Sequence, residues 1–362
     1  MNSSPLCPTC GTIVPPGARF CENDGTRLVA PDAATTAIAP GVPPVEPWPK
    51  CRCGAVLAER DASGYCQTCG RVWPSGPPAD VAGNPLRLRD HIAVEVAPGF
   101  ALVTDRGLVH DHNQDDGAIA AAGGASILVV CDGISSAYQA AAASRAAAVA
   151  TLGELRLSTE HGAWDPPTSM RAALLRAHHA VCDLHHPDVP ASVQSPPATT
   201  IVAALAREQE ITIGWLGDSR AYWVGAPSAL GEPPVVHPLT TDHSWVNEVV
   251  AAGQMSEADA LHSKLAHAVT RFLGPQEDGM FAPLEPGIMQ FTIRGPGYLV
   301  LCTDGLWNYA PSPEEFAELV KPAPGSALPE VPVLKLCERL VKFVLARGAR
   351  DNVTVAIEAF GG

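Results

Sequence analysis

The amino-acid sequence predicts an α+β domain of layered antiparallel sheets and helices over residues 91–362, preceded by two small cysteine-rich units. Apolar runs of strand length occur in clusters separated by turn residues, and long helical patterns occur in groups between those clusters. A regular alternation of single strands and single helices, which is typical of a parallel sheet, is not visible. The pattern therefore favours antiparallel sheets with helices packed on them.

The elements of the large domain follow from apolar periodicity and turn residues. Strands are predicted near residues 92–96, 100–104, 126–131, 199–206, 210–216, 220–224, 290–294, 298–302 and 352–359. Helices are predicted near residues 137–156, 168–186, 244–253, 256–262, 313–320 and 332–347. Loops rich in Pro or Gly are predicted at residues 187–198, 225–238, 275–289 and 321–333.

The first 90 residues divide into a unit at 1–29, a Pro/Ala-rich linker at 30–47, a second unit at 48–74 and a second linker at 75–90. Paired cysteines with this spacing suit tetrahedral Zn²⁺, and units this short need metal to fold. The candidate ligands are Cys7, Cys10, Cys21 and Asp24 in the first unit, and Cys51, Cys53, Cys66 and Cys69 in the second. Asp24 stands where a fourth cysteine is expected, so a Cys₃Asp site is possible there. The alternative is a set of surface thiols without metal.

The two units resemble the double zinc-ribbon modules of prokaryotic regulatory proteins. The resemblance implies one or two structural zinc ions and a docking role. Four filled ligand positions leave no open position for catalysis.

The charge of −14 is unevenly distributed. Residues 1–90 carry eight basic and eight acidic side chains, so the whole acidic excess lies in residues 91–362. An acidic domain is a poor partner for nucleic acid, whose phosphates need cationic surface. No apolar run approaches the length of a membrane span, and the N-terminus does not have the pattern of a signal peptide. Paired metal thiolates fit a reducing compartment, so a cytoplasmic location is expected.

Five aspartates lie at the ends of strand-like runs or within their turns, spread over more than 200 residues: Asp115, Asp132, Asp218, Asp304 and Asp351. Carboxylates that converge repel one another unless a multivalent cation lies among them. All-oxygen ligands are preferred by Mg²⁺ and Mn²⁺. The pattern therefore predicts a divalent metal cluster and metal-assisted hydrolysis.

These aspartates belong to ordered motifs: TDRGLV at 104–109, NQDD at 113–116, CDG at 131–133, GDSR at 217–220, LTTDHS at 239–244, TRFLG at 270–274, CTDGLW at 302–307 and DNVT at 351–354. In this order they resemble the bacterial branch of the PP2C (PPM) family of metal-dependent serine/threonine protein phosphatases, over about residues 91–360. The resemblance implies a four-layer αββα sandwich, in which two antiparallel sheets are flanked by helices. It also implies phosphorylated proteins as substrates.

The resemblance further implies a role for each site residue. Asp132 would bridge two Mn²⁺ or Mg²⁺ ions, one of which would also bind the Gly133 carbonyl. Asp115, Asp304 and Asp351 would complete the ligand set, and Asp218 would help to hold a third, weaker ion. Arg106 would bind the substrate phosphate, a role that suits its planar pair of donors. An activated water would attack phosphorus directly, without a covalent intermediate.

Several neighbouring residues are expected to support the site or to lie outside it. Asn352 is expected to support the site through hydrogen bonds, and supporting roles are favoured for His110, His112 and His243. The pairs His178-His179 and His185-His186 are expected at the surface. Ile134-Ser135-Ser136 replaces the family's usual x-Gly-Gly, and Ile134 stands where some members carry a histidine proton donor. Water would then protonate the leaving group.

The leading hypothesis is therefore a cytoplasmic serine/threonine phosphatase whose zinc ribbons recruit a partner, such as a protein kinase or its target. The alternative is a phosphatase-like protein of weak or no activity that acts through the ribbons. Nucleic-acid binding by the ribbons is a further alternative, disfavoured by their balanced charge and few aromatic residues.

Overall fold

Two antiparallel sheets packed face to face form the centre of the fold. A computed structural model describes residues 91–97, 99–110, 112–137, 139–161, 164–185, 195–227, 233–275, 284–320 and 332–361. The predicted units at 1–29 and 48–74, their linkers and all eight candidate zinc ligands lie outside the described residues.

Each sheet is antiparallel throughout. The six-stranded sheet has the order β1 (His91–Ala97), β2 (Phe100–Asp105), β11 (Val353–Phe360), β10 (Gly297–Cys302), β7 (Arg220–Gly225) and β8 (Val235–Pro238). The five-stranded sheet has the order β3 (Asp115–Ala122), β4 (Ala125–Asp132), β5 (Ile201–Arg207), β6 (Glu210–Leu216) and β9 (Gly287–Thr292).

Helices cover the outer faces of both sheets. Helices α1 (Ala140–His161) and α2 (Pro166–Cys182) pack on the five-stranded sheet, and α6 (Pro313–Val320) and α7 (Val333–Leu345) pack on the six-stranded sheet. Short α5 (Asp304–Trp307) follows β10 directly, and α3 (Trp245–Ala251) and α4 (Glu257–Leu261) lie between β8 and β9. The predicted α+β sandwich of two antiparallel sheets with flanking helices is thereby confirmed.

Alternation along the strands divides the core into layers. In β4, Leu128 and Val130 face the layer between the sheets, whereas Ile127 and Val129 face α1 and α2. Both sets are fully buried, which explains why the strand is continuously apolar. Because Asp132 has the same parity as Val130, it belongs to the layer between the sheets.

Some elements differ from the sequence-based predictions. Strand β3 was not predicted, because seven of the eight residues of DDGAIAAA are Asp, Gly or Ala, which are depleted in strands, and Ile119 is its single β-branched residue. Strand β8 lies within the predicted loop 225–238, and α5 was not predicted. The surface position expected for His178 is wrong. Its side chain is buried, and Gly274 N–H donates to its Nδ1 at 3.3 Å.

Among the described residues, no helix is both long enough and apolar enough to cross a membrane.

Candidate metal centre

The hairpin of β3 and β4 brings two of the candidate aspartates together. Asp115 opens β3 and Asp132 closes β4, and the two are direct partners in the strand register. Asp115 is buried, and its Oδ2 accepts hydrogen bonds from the hydroxyls of Thr303 and Thr354, both at 2.9 Å. Thr354 lies in β11 and Thr303 directly follows β10, both in the six-stranded sheet, so Asp115 joins the two sheets at this end of the sandwich.

Asp304 and Asp351 reach the same end from the six-stranded sheet. Asp304 follows β10 and Asp351 precedes β11. Because these neighbouring strands are antiparallel, the two residues lie at the same end of the sheet. Oδ2 of Asp304 accepts from Asn308 at 3.1 Å, whereas its buried Oδ1 has no hydrogen-bond partner among the described residues. Oδ1 of Asp351 accepts from its neighbour's backbone N–H at 2.8 Å and lies 3.3 Å from Nε2 of His110.

Asp218 lies in the turn between β6 and β7. Its carbonyl accepts from Nε1 of Trp307 in α5 at 2.9 Å. The guanidinium of Arg220 lies 3.6 Å from the centre of the same indole ring and forms a two-point ion pair with Asp242, at 2.9 and 2.7 Å. Gly217 has φ +104°, and a Cβ there would approach the side chain of Thr200 to 2.6 Å. These contacts hold the Asp218 turn beside α5.

The turn that contains Gly133 leaves no room for a side chain. A Cβ at Gly133 would lie 2.6 Å from the carbonyl oxygen of Ala140 and 2.7 Å from that of Gln114. Gly133 N–H donates to Gln114 O at 3.1 Å, and Ile134 N–H donates to Ala198 O at 3.1 Å. Although Ser135 and Ser136 depart from the family pattern, these backbone anchors lie at Gly133 and Ile134 and do not involve the two serines.

Asn352 organises the loop that carries Arg106. Its Nδ2 donates to the carbonyls of Arg106 and His112 at 2.7 and 3.1 Å, and its Oδ1 accepts from Gln114 N–H at 2.7 Å. The guanidinium of Arg106 donates to the carbonyl of His110. The hydrogen bonds of Asn352 are those expected of a supporting residue.

Burial and mutual repulsion disfavour the charged forms of these carboxyl groups. Burial raises the pKa of Asp115 and of Asp132 well above the usual range, and nearby carboxylates raise both further. Burial, followed by the charge of Asp304, raises the pKa of Asp218 to about 7. Burial, followed by the charge of Asp351, raises the pKa of Asp304 to about 6. The cluster therefore holds more negative charge than its protein surroundings compensate.

The donor set fits divalent metal. All candidate ligands offer oxygen, as Mg²⁺ and Mn²⁺ prefer, and the buried Oδ1 of Asp304 has no hydrogen-bond partner among the described residues. Among the described residues, no group of three or more Asp, Glu, His or Cys side chains is arranged so that it could hold a metal ion without further ligands or movement.

Other polar residues nearby have structural contacts. Burial lowers the pKa of His243, whose Nδ1 accepts from Gly217 N–H at 3.3 Å and whose ring stacks on Trp215. Cys131 and Cys302 are buried free thiols, and burial raises the pKa of both. Neither cysteine is therefore suited to be a nucleophile.

Thr303 and Thr354 are the site residues that the sequence analysis missed. Both lie within the motifs CTDGLW and DNVT, but no role was assigned to them there, and each donates its hydroxyl to Asp115. Oγ1 of Thr303 also accepts from the backbone N–H of Thr354 at 3.0 Å. Their only signal in the sequence was a hydroxyl residue at the end of an apolar strand.

Comparisons with known proteins agree with this geometry. Residues 109–343 match the family model for protein phosphatase 2C. The serine/threonine phosphatase stp of Listeria monocytogenes is 27% identical over 268 residues, which cover 70% of this chain and 92% of that protein. The solved serine/threonine phosphatase of S. agalactiae is 26% identical, with a TM-score of 0.56 over 72% of this chain and 98% of that one.

A further solved structure is the catalytic domain of the phosphatase PstP in complex with two manganese ions. It is 24% identical, has a TM-score of 0.54 and covers 72% of this chain and 97% of that one. At 24% identity, this similarity shows that the two chains share a fold.

Because the family model covers well over half of the sequence, the chain belongs to the protein phosphatase 2C family. It is an enzyme, a serine/threonine phosphatase of the PP2C type, as the ordered motifs predicted.

Proposed function

We propose that the carboxylate cluster hydrolyses phosphoserine and phosphothreonine in proteins with the help of two Mn²⁺ or Mg²⁺ ions, and that a third ion binds more weakly. The ions would be held by Asp115, Asp132, the Gly133 carbonyl, Asp304 and Asp351, with Asp218 serving the third. The observation that carries the proposal is that these five aspartates, distant in sequence, lie at one end of the sandwich, where burial raises the pKa of four of them, Asp115, Asp132, Asp218 and Asp304.

The residues around the cluster have separate tasks. Bound divalent cations would supply a water of lowered pKa and would offset negative charge on the phosphoryl oxygens. Thr303 and Thr354 orient Asp115 and keep its Oδ2 engaged, so that Oδ1 remains for a ligand. Gly133 allows the turn to close, because a side chain there would collide with the carbonyl oxygens of Ala140 and Gln114.

Arg106 would orient the substrate. Asn352 donates a hydrogen bond to the Arg106 carbonyl, so the backbone that carries the guanidinium is held in place. A planar fork of N–H donors matches two phosphoryl oxygens, which a lysine would meet with only a point charge. Ile134 carries no transferable proton, so we infer that solvent protonates the leaving alkoxide.

An assay with and without Mn²⁺ tests the proposal. Hydrolysis of para-nitrophenyl phosphate and of a phosphothreonine peptide should require the metal, and Asp132→Asn should reduce kcat/KM by about 100-fold or more, since several kcal/mol of metal stabilisation are lost. Asp183→Asn is a matched control, because that aspartate is exposed at the end of α2. Equal activity of wild type and Asp132→Asn, or no activity on the phosphopeptide, would contradict the proposal.

We also infer that residues 1–29 and 48–74 each bind one structural zinc ion and act as a docking module. The support is the spacing of the paired cysteines, with Asp24 as the fourth ligand of the first unit. Elemental analysis of the full chain should find about two zinc ions. The double variant Cys66→Ser/Cys69→Ser should lose about one of them and retain hydrolysis of para-nitrophenyl phosphate. Unchanged zinc content would reject the second site.

The partner of that module is proposed to be a serine/threonine protein kinase or its target, and a cytoplasmic location stays a prediction. Cross-linking of the full chain in cells, compared with the Cys66→Ser/Cys69→Ser variant, should give a kinase or substrate adduct only with intact ribbons. An adduct pattern that does not change with the variant would argue against ribbon docking.

A further inference from the structure

A cavity lies at the end of the sandwich opposite the metal centre. Its volume is about 580 Å³, and its lining includes Gly99 between β1 and β2, the β3–β4 hairpin turn at Gly123, Ala206, and the last residues of β11 from Glu358 to Phe360. Small-molecule sites in proteins have volumes of this order. The cavity therefore has the size of a ligand site.

The cavity is separate from the catalytic residues. In the β3–β4 hairpin, Asp115 pairs with Asp132 at one end, and Ala122 pairs with Ala125 at the cavity end. The seven steps from Ala125 to Asp132 at about 3.3 Å each separate the two regions by about 23 Å. A ligand here would not contact the metal ligands.

One carboxylate lies in the cavity wall. Alternation along β11 places Glu358 in the layer between the sheets, with Ala356 and Phe360. Ser126 of the opposite sheet lies within hydrogen-bonding distance of both carboxylate oxygens, at 2.7 and 2.6 Å. A hydroxyl has only one proton and can serve one oxygen at a time, whereas an ionised carboxylate has about four acceptor positions. Glu358 therefore retains acceptor capacity that Ser126 cannot fill.

No cationic side chain faces this carboxylate from the cavity lining. Of the described residues that line the cavity, none is Lys, Arg or His, and a second carboxylate, Glu208, lies at its rim. The guanidinium of the neighbouring Arg207 makes its contacts with other groups than Glu358. It lies 3.6 Å from the ring centre of Trp164 and donates to the carbonyl of Gly123 at 2.8 Å. Burial raises the pKa of Glu358 to about 7, as expected for a carboxyl group without a compensating cation.

The remaining walls are apolar. Most of the lining residues are apolar, and they include Ala121, Ala206, Phe100 and Phe360. Apolar walls stabilise a hydrocarbon chain by removing its CH₂ groups from water. A ligand that fits this lining combines one positive charge with a short apolar body.

We propose that this cavity is a binding site for a small organic cation, a primary ammonium group on a short hydrocarbon body. The ammonium group donates hydrogen bonds to Glu358, and the hydrocarbon packs against the alanine and phenylalanine side chains. Because Ser126 and Glu358 belong to different sheets, an occupied cavity also joins the two sheets at the end remote from catalysis.

Isothermal titration calorimetry of the full chain with n-hexylammonium chloride tests the proposal. Saturating Mg²⁺ is present throughout, so that the aspartate cluster is not an alternative cation site. Saturable binding is expected for hexylammonium, with at least tenfold weaker binding of n-hexanol and of hexanoate. Glu358→Gln should weaken hexylammonium binding at least tenfold, whereas Glu208→Gln should change it less than twofold. Phosphatase activity should be unchanged in both variants, which shows that they are folded.

Methyl NMR locates the ligand independently of mutation. Hexylammonium should shift the alanine methyl signals of Ala121 and Ala206 and leave those of Ala148 in α1 and Ala177 in α2, which pack on the other face of the five-stranded sheet, unchanged. Absence of saturable binding, equal binding of hexanol, an unaffected Glu358→Gln variant, or shifts outside the cavity would each overturn the proposal.

Discussion

The two ends of the layer between the sheets both contain buried carboxyl groups, but they differ in number and in surroundings. At one end, five aspartates lie together, and burial followed by neighbouring carboxylate charges raises the pKa of Asp115, Asp132, Asp218 and Asp304. At the other end, burial raises the pKa of Glu358, and most of the residues around it are apolar. The strand alternation that places Glu358 in this layer also places Asp132 there.

This difference sets the charge that each end can accept. A cluster of carboxylates is stabilised by multivalent cations, which many oxygen ligands can share. A single carboxylate in an apolar wall is satisfied by one proton or by one monovalent cation. The same strand pattern thus produces a metal centre at one end and an amphiphilic pocket at the other.

The largest expected effect of a single substitution is at the metal end. Asp304→Asn should lower kcat/KM by about 100-fold or more, because the unpartnered Oδ1 is the oxygen that the protein leaves for a ligand. In excess chelator the same variant should unfold at a higher temperature than wild type, since one of several repelling charges is gone. Mn²⁺-dependent kinetics and thermal unfolding with EDTA measure the two effects. A variant that is less stable in EDTA would contradict the repulsion argument.

Glu358→Gln should change the pH dependence of stability. The folded state keeps a proton on Glu358 up to about pH 7, whereas the unfolded chain releases it near 4.5. The wild-type free energy of unfolding should therefore fall, relative to the variant, by about 3 kcal/mol as pH rises through this window, and change no further above it. Urea unfolding at pH 5 and pH 8 measures this difference. Glu208→Gln is the control, and parallel pH curves for wild type and Glu358→Gln would refute the prediction.

The sequence predicted the metal end far better than the cavity end. Its aspartates stand in motifs whose order identified the family, and all except Asp115 lie beside a strand with a strong apolar pattern. Strand β3 escaped because Ala and Gly carry little strand preference, and its position follows from pairing with β4.

The polar residues of the layer between the sheets were not predictable in the same way. Glu358 stands in an apolar strand, where alternation shows which face of the sheet its side chain occupies. Alternation does not show its hydrogen-bond partner, Ser126, which is 232 residues away in the sequence. His178 looked like a surface residue on a helix, although Gly274, in the segment between α4 and β9, donates a hydrogen bond to it. Such pairings depend on tertiary contacts that one sequence does not reveal.

Ser126→Ala tests the polar link between the sheets. At pH 8, where Glu358 is ionised, loss of the Ser126 hydroxyl that bonds to it should lower the free energy of unfolding by about 2 kcal/mol, as for hydrogen bonds to charged groups. In the Glu358→Gln background the same change should cost about 1 kcal/mol, because the partner is neutral. Urea unfolding of the four proteins gives the interaction energy. Equal costs in the two backgrounds would show that the charge of Glu358 is not involved.

The smallest expected effect distinguishes a residue that positions the catalytic site from a residue that contributes only to the fold. Asn352→Ala removes the amide that holds the Arg106 loop, so kcat/KM should fall about tenfold, mainly through KM for phosphopeptide, since Arg106 is the proposed phosphate ligand. Asn247→Ala removes a comparable amide-to-carbonyl bond of 2.8 Å from exposed α3 and should leave KM unchanged.

Ser126→Ala and Glu358→Gln should also leave KM unchanged, because the cavity lies about 23 Å from the metal centre. A higher KM in the cavity variants would mean that the two ends are coupled through the layer between them.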